Sequence, residues 1–168
     1  MYITVAKEKI IQLTEDGSHT VAIPSMHVTY HSIYGAVQES MHVYIETGLL
    51  YFINHNNIAA DEAIHMLEIG FGTGLNAVLS LQQALKLNKK ITYETTEPFP
   101  LSMQEISGLN YKKFIHPAIA EYFDAMHATG MNRLYCILYF LFIKQKPLRS
   151  NSHQHNLFIS FILMHSIR

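Results

Sequence analysis

Several features that define other classes of protein are scarce in this sequence. It has one cysteine, Cys136, which leaves no partner for an internal disulfide and fits a reducing compartment, so we expect a cytoplasmic location. The longest apolar runs, residues 134–143 and 157–164, are shorter than the roughly 20 residues that cross a bilayer. The first eleven residues carry three charged side chains and lack the apolar segment of a secretory signal. We therefore expect neither export nor a membrane partner.

A metal site is not expected either. Three histidines stand within residues 26–50, but their spacing matches no common ligand pattern. No cluster of Cys or carboxylate residues accompanies them, so we interpret them as surface or pocket side chains: His27, His31 and His42.

Charge is scarce as well, and it is unevenly distributed. Charged residues make up 15% of the 168 residues, against about 25% in ordinary soluble domains. Residues 1–124 hold seven Lys or Arg and all thirteen Asp or Glu, whereas residues 125–168 hold five Lys or Arg and no acid. An acid-free tail could attract RNA phosphates. It could equally be sequence that was never selected to fold.

The most informative stretch combines a short apolar run, a glycine-rich turn and a helical pattern. The run Ile64–Ile69 stops at Gly70-Phe71-Gly72-Thr73-Gly74, and a helix is predicted over Leu75–Leu87. A strand, a glycine turn and a helix N-terminus bring backbone close to a nucleotide-like ligand. Glu68 stands at the carboxyl end of the strand, where open α/β sheets bind ligands. Leu75 occupies the place of the third glycine of G-x-G-x-x-G, so the pattern is not the dinucleotide fingerprint.

A second acid follows at the spacing expected for ribose recognition. A strand is predicted over residues 91–97, and Glu97 lies at its end, just before Pro98. An acid about 20 residues past a glycine loop is placed to accept hydrogen bonds from ribose hydroxyls. Glu94 lies mid-strand and is the weaker candidate. A purely structural strand-turn-helix remains the alternative, and Glu97 argues against it.

The rest of the chain supplies further predicted elements. Asp16-Gly17 predicts a hairpin between two β-rich runs, residues 9–13 and 19–23. Additional strands are predicted at 28–30, 42–45, 134–143 and within 156–167, and helices at 102–109 and 118–127, the first with a Ser102/Glu105 capping box. The polar turn at 54–57 divides a β-rich extension, residues 1–57, from a ligand-binding core, residues 58–168.

Three stretches of the sequence are informative together: YHSIYGAVQESMHVYI at 30–45, EIGFGTGLN at 68–76 and EPFPL at 97–101. In this order and spacing they resemble one family, the MnmC-like methyltransferase domain. That family contains the tRNA 5-methylaminomethyl-2-thiouridine methyltransferases, which complete a modified wobble uridine. The resemblance implies an α/β fold with a partial class I methyltransferase (Rossmann-like) sheet behind the N-terminal hairpin region. It also implies S-adenosylmethionine as cofactor, tRNA as substrate and, in some members, an oxidase partner domain.

The resemblance also implies roles for individual residues. The methionine end of the cofactor would be wrapped by one acid and three glycines: Glu68, Gly70, Gly72 and Gly74. Glu97 would hold the ribose. The segment lining the cofactor pocket would contribute Tyr30, Gln38 and Glu39, although a solvated turn is an equal alternative for residues 38–40.

One expected motif, an Asp at the end of the fourth strand, is missing. Asp124 imitates it, but it follows Glu97 by only 27 positions, and one strand-helix-strand crossover alone needs about 30 residues. We therefore predict that Asp124 lies on a helix, and we assign no catalytic residue. The fourth strand should fall within 156–167, where residues 156–161 contain no acid.

These departures leave the activity open between three hypotheses. The family's domain is longer than this chain, so we expect truncation and a core that is incomplete at its C-terminus. The chain is then either a tRNA methyltransferase or a truncated, non-catalytic remnant that at most binds S-adenosylmethionine. A weaker third hypothesis is an RNA-binding module that uses the basic tail.

Overall fold

The structure is a computed structural model that describes residues 8–59, 62–129, 133–137, 140–145 and 158–161. Within these residues the chain forms a small antiparallel sheet and a larger, mostly parallel one. No helix in the described ranges is both long and apolar enough to cross a membrane.

The small sheet contains the predicted hairpin. Strands β1 (Ile10–Leu13) and β2 (His19–Ile23) pair antiparallel, and β3 (Val28–Thr29) adds to the other edge of β2. Gly17 takes the left-handed conformation (φ 81°) that the tight turn needs. A 3-10 turn, Pro24–Met26, ends β2 and leads into β3. The hairpin prediction is confirmed.

A helical segment follows where a strand was predicted. It begins as α1 (Ala36–Glu39), continues as a π-helical stretch (Ser40–Leu50) and ends as α2 (Tyr51–His55). The strand prediction at 42–45 is therefore wrong. The β-branched and aromatic residues there favour a strand locally, but burial follows a helical repeat, with Tyr44, Ile45, Gly48 and Leu49 inside.

The larger sheet alternates with helices, as the sequence predicts. The first half contains β4 (Ile64–Ile69), α3 (Leu75–Leu87) and β5 (Ile91–Thr96) at the predicted positions. The second half contains the following elements: α4 (Met103–Ser107), 3-10 turns Tyr111–Lys113 and Pro117–Ile119, α5 (Ala120–Ala128), β6 (Arg133–Ile137), β7 (Phe140–Gln145) and β8 (Phe158–Phe161). The Ser102/Glu105 capping box of α4 is present, and Asp124 lies on α5, as predicted.

Strand order identifies the architecture of this sheet. The order is β6-β7-β5-β4-β8, with β7, β5, β4 and β8 parallel and β6 antiparallel at the edge. Counted along the chain, the parallel strands lie in the order 3-2-1-4, which is that of the first four strands of a Rossmann sheet. The fold is therefore α/β and Rossmann-like. Its order reverses between β4 and β8, so a ligand crevice is expected at their carboxyl ends.

The apolar run at 134–143 is the second place where prediction and structure differ. We predicted one strand, but β6 and β7 form an antiparallel pair with Ile137 opposite Phe140. The run contains no Gly, Pro, Asn or Asp to signal the reversal. β8 lies within the range predicted for the fourth strand and pairs with β4. Most of the acid-free tail lies outside the described residues. The expected truncation of the core at its C-terminus therefore stays a prediction.

The two sheets share one hydrophobic core. Its buried members include Val21 of β2, Tyr44 of the π-helical stretch, Met66 of β4 and Phe123 of α5. The division at residue 57 stays a prediction, but the N-terminal segment packs on the sheet rather than apart from it.

Asp16 connects the hairpin turn to the start of α1. Its Oδ1 accepts hydrogen bonds from the Ser18 N–H (2.9 Å) and from the hydroxyls of Thr14 and Ser18, and its Oδ2 accepts one from the Gln38 N–H (2.9 Å). Burial alone would raise the pKa of Asp16, but the hydrogen bonds from Ser18, Gln38 and Thr14 outweigh it and leave the pKa below its ordinary value. Asp16 is thus a helix cap supplied by a distant turn.

Replacing Asp16 with Ala is expected to lower the free energy of unfolding by about 1–2 kcal/mol at pH 7, as loss of a cap does. Since its folded-state pKa is lowered, this contribution is complete above the ordinary value of 3.8 and is lost as the pH falls below it. Urea unfolding at pH 7 and pH 3 measures both effects. Glu15→Ala, at an exposed neighbour, is the matched control, and equal losses at pH 7 would contradict the capping role.

Candidate functional site

The glycine loop between β4 and α3 closes over the end of β5. The N–H groups of Gly70 and Phe71 both donate to the Thr96 carbonyl, at 2.9 and 3.0 Å. Gly70, Gly72 and Gly74 have φ values of 93°, 52° and 73°, a region that other residues rarely adopt. A Cβ at Gly70 would meet no atom within 4 Å, so the backbone there faces open space.

A cavity of about 300 Å³ lies against this loop, at the lower end of the range typical of ligand pockets. One wall comes from the loop and from the ends of β4 and β5. The other wall comes from the N-terminal segment, through Ile23, Met26 and residues 28–31. Phe99, 75% exposed, stands at the rim. The described lining contains two carboxylates and no Lys or Arg.

Glu97 is one of these carboxylates. Its Oε2 accepts the Gly72 N–H at 2.8 Å, and its Oε1 accepts the Phe99 N–H at 2.7 Å. Because a carboxylate has about four acceptor positions, each oxygen can still accept from a ligand. Glu97 therefore both fixes the loop and presents acceptors to the cavity.

Glu68, the second carboxylate, is buried among neutral partners. It accepts hydrogen bonds from Asn76 Nδ2 (3.0 Å) and Thr95 Oγ1 (3.2 Å), and the Tyr93 hydroxyl also bonds to it. Tyr93 in turn shares a hydrogen bond of 2.9 Å with the hydroxyl of Tyr44. Burial raises the pKa of Glu68 to about 7, and the hydrogen bonds from Asn76, Tyr93 and Thr95 offset only part of that rise.

The predicted site residues fall into two groups. The cavity lining brings together Glu68, Gly70, Gly72, Glu97 and Tyr30. Three others lie outside it: Gly74, Gln38 and Glu39. Gly74 starts α3, and Gln38 is exposed beside Asp16. Glu39 accepts the Ser32 N–H at 2.9 Å and lies 3.6 Å from His31 Nδ1.

Tyr30 forms the wall opposite the glycine loop. A Cβ at Gly72 would lie 3.2 Å from Tyr30 Cδ2, so the ring passes close to the loop backbone. Burial, with the nearby charges of Glu97 and Glu105, raises the pKa of Tyr30 to about 12. The phenol is therefore neutral at neutral pH and can donate a hydrogen bond.

Sequence reasoning missed several polar residues around the loop. Asn76 lines the cavity, and its buried Oδ1 has no hydrogen-bond partner within the described chain. Lys144 is buried, with Nζ 4.6 Å from the centre of the Phe71 ring. Burial lowers the pKa of Lys144, and the charge of Glu97 opposes that change. In the sequence, the available signal for Lys144 was a single cation within the apolar strand β7.

No group of three or more His, Cys, Asp or Glu side chains in the described ranges is arranged to hold a metal ion.

Comparison with known proteins supports the fold. No protein-family model matches this sequence, and no curated protein matches it. The chain is similar to the crystal structure of MNMC2 from Aquifex aeolicus, with a TM-score of 0.62 and 20% sequence identity. The match covers 84% of this chain and 43% of that one, so this chain spans less than half of its neighbour. This chain therefore shares the fold of that protein over most of its length.

Glu68→Gln tests the burial of a carboxyl group in this site. An acid with a raised folded-state pKa holds its proton longer in the folded than in the unfolded chain, so the wild type loses stability as the pH rises from 4.5 to about 7. The neutral variant lacks that loss. Between pH 4.5 and pH 8 the free energy of unfolding of Glu68→Gln should therefore rise, relative to that of the wild type, by on the order of 3 kcal/mol.

Urea unfolding of both proteins at the two pH values measures this difference, and other titrating groups cancel in it. A stability difference that is equal at both pH values would contradict the burial of an ionisable group at position 68.

Proposed function

We propose that the chain binds S-adenosylmethionine in this cavity and that its activity is methyl transfer to the aminomethyl group of a modified wobble uridine in tRNA. One observation carries the proposal: the described lining pairs two buried carboxylates with a glycine loop and contains no Lys or Arg. A site of this charge favours a cationic nucleoside.

The charge of the lining separates this ligand from the commoner ligands of glycine loops. A dinucleotide brings a pyrophosphate, which two carboxylates would repel. S-adenosylmethionine has no phosphate and carries two cationic groups, a sulfonium and an ammonium. Leu75, in place of the third glycine of the dinucleotide fingerprint, points the same way.

The residues present fit the parts of this cofactor. Glu97 retains acceptor positions for the two ribose hydroxyls. Asn76 lines the cavity, and its buried Oδ1 has no hydrogen-bond partner within the described chain. Gly70 leaves open the space that a side chain would occupy. Glu68 becomes fully ionised when a cation enters, because an opposite charge favours the charged form.

The mechanism asks little covalent chemistry of the protein. The cofactor supplies a methyl group on a sulfonium, already activated toward an attacking amine. The chain's own residues bind, orient and exclude water: Glu97 and the loop fix the nucleoside, and Tyr30 closes the opposite wall. A base is needed only where the acceptor amine arrives protonated.

A second candidate function is cofactor binding without turnover, and strand β8 favours it. This strand lies beside β4, where the fourth parallel strand belongs, and its sequence is Phe-Ile-Ser-Phe. The related methyltransferases are expected to carry an Asp at the end of that strand. Glu68 and Glu97 are the carboxylates of the described lining, and both already accept hydrogen bonds from the protein.

Glu97→Gln is expected to weaken S-adenosylmethionine binding by roughly 10- to 100-fold, because hydrogen bonds to a charged acceptor contribute about 1.5–3 kcal/mol. Titration calorimetry measures the affinity, and protection against thermal unfolding provides a second readout. The matched control is Glu94→Gln, at a half-buried acid of β5 outside the lining. NAD should give no protection.

Wild-type protein that binds NAD but not S-adenosylmethionine would overturn the proposal. Equal affinities of wild type and Glu97→Gln would remove Glu97 from the site.

Methyl incorporation into undermodified tRNA separates the two candidate functions. We expect this turnover to be weak, since β8 offers no carboxylate to receive the amine proton. Turnover that is clear in wild type and lost in Glu97→Ala would exclude binding without catalysis. Glu94→Ala controls for loss of charge on the strand.

A further inference from the structure

Thr73, inside the glycine loop, is held by two histidines from distant parts of the chain. His31 Nε2 lies 2.7 Å from the Thr73 hydroxyl, and His127 Nε2 lies 3.0 Å from the Thr73 carbonyl oxygen. His31 comes from the N-terminal segment and His127 from the last turn of α5. The loop is thus connected to elements on both sides of it along the sequence.

The contact with His127 involves packing as well as a hydrogen bond. Its ring lies 4.9 Å from Phe71 and 4.9 Å from Phe123, centre to centre. A Cβ at Gly74 would come within 2.8 Å of His127 Nε2 and 2.9 Å of Phe71 Cζ, so no side chain fits there. Burial lowers the pKa of His127 to about 4, so the ring is neutral at neutral pH, and its Nε2–H donates to Thr73.

His31 is itself positioned by contacts with Glu39 and Tyr111. It is buried, and its Nδ1 faces the Glu39 carboxylate, which also accepts the Ser32 N–H. The rings of His31 and Tyr111 are perpendicular, with a centroid distance of 6.4 Å. Glu39 therefore acts on the loop through His31 rather than by lining the cavity.

A loop with three glycines needs such support. Glycine loses more conformational freedom on ordering than any other residue. Because a mobile loop loses this entropy when a ligand binds, its mobility weakens the affinity. Pre-ordering by packed neighbours removes part of this cost. We propose that His31 and His127 are positioning residues that set the conformation of the glycine loop for ligand binding; the identity of the ligand rests on the proposed function.

Matched substitutions separate the hydrogen bond from the packing. His127→Phe keeps a ring against Phe71 and Phe123 but has no donor, whereas His127→Gln keeps an amide N–H with similar reach. We expect a roughly 5- to 10-fold loss of S-adenosylmethionine affinity in His127→Phe, since a neutral hydrogen bond contributes about 1 kcal/mol, and recovery of most of it in His127→Gln. Asp124→Asn, on the exposed side of the same helix, is the control.

A second readout needs no ligand. The N–H groups of Gly70, Gly72 and Gly74 are bonded to Thr96 O, Glu97 Oε2 and Phe71 O, so their hydrogen exchange reports opening of the loop. Exchange at these amides should accelerate in His31→Phe and His127→Phe. The double variant should lose less affinity than the two single losses combined, because both side chains act on one loop.

The outcomes distinguish this proposal from the function it serves. A wild type that binds no S-adenosylmethionine defeats the proposed function, and exchange at the three amides then decides the role of the histidines alone. Phe variants with lower stability but wild-type exchange at these amides would show a merely structural role and overturn the proposal. Failure of His127→Gln to restore affinity or exchange would overturn it as well.

Discussion

The site depends on how the glycine loop is attached to the end of β5. β4 and β5 are parallel and in register, with Ile69 opposite Thr96, so both strands end at the same level. The Thr96 carbonyl takes two loop N–H groups, and Glu97 takes the Gly72 N–H. These bonds require positive φ values in the loop, which is why glycines alternate there. One short set of hydrogen bonds thus fixes both the loop and the acid beside it.

Burying the Glu68 carboxylate in this crevice is energetically unfavourable without a ligand. Glu68 is buried among an amide and hydroxyls, and its raised pKa reflects the cost of a charge there. Asp16 shows the opposite case, since its hydrogen bonds lower its pKa and stabilise the fold. A core that needed only stability would gain more from an apolar side chain at position 68. The burial of Glu68 is therefore consistent with the cationic ligand that we propose for this cavity.

Elements with strong local signals could be predicted from the sequence almost to the residue. The run Ile64–Ile69 ends at glycine, α3 begins directly after it, and α4 has its capping box. The strand prediction at 42–45 was wrong because tertiary packing of a helix outweighed the β propensity of these residues. The change of direction between β6 and β7 was not predicted because no turn residue marks it in the sequence. Both errors concern stretches whose conformation is decided by distant contacts.

The same distinction applies to the site. Glu68 and Glu97 could be predicted because glycine spacing and strand ends are local features. Thr73, His31 and His127 could not, since their contacts join positions 42 and 54 residues apart. Lys144 gave only the weak signal of one charge in an apolar strand.

The N-terminal segment has a larger part in the site than a Rossmann sheet alone would require. An open α/β sheet supplies a crevice and a glycine loop, but it leaves the ligand exposed on one side. Here β2, the turn after it and residues 28–31 close that side, and Tyr30 packs against Gly72. The same segment reaches the loop through His31, and Asp16 and Ser18 fix the start of the helix that follows. The sheet thus provides the charged wall of the cavity through Glu68 and Glu97, and the N-terminal segment provides the wall opposite to it.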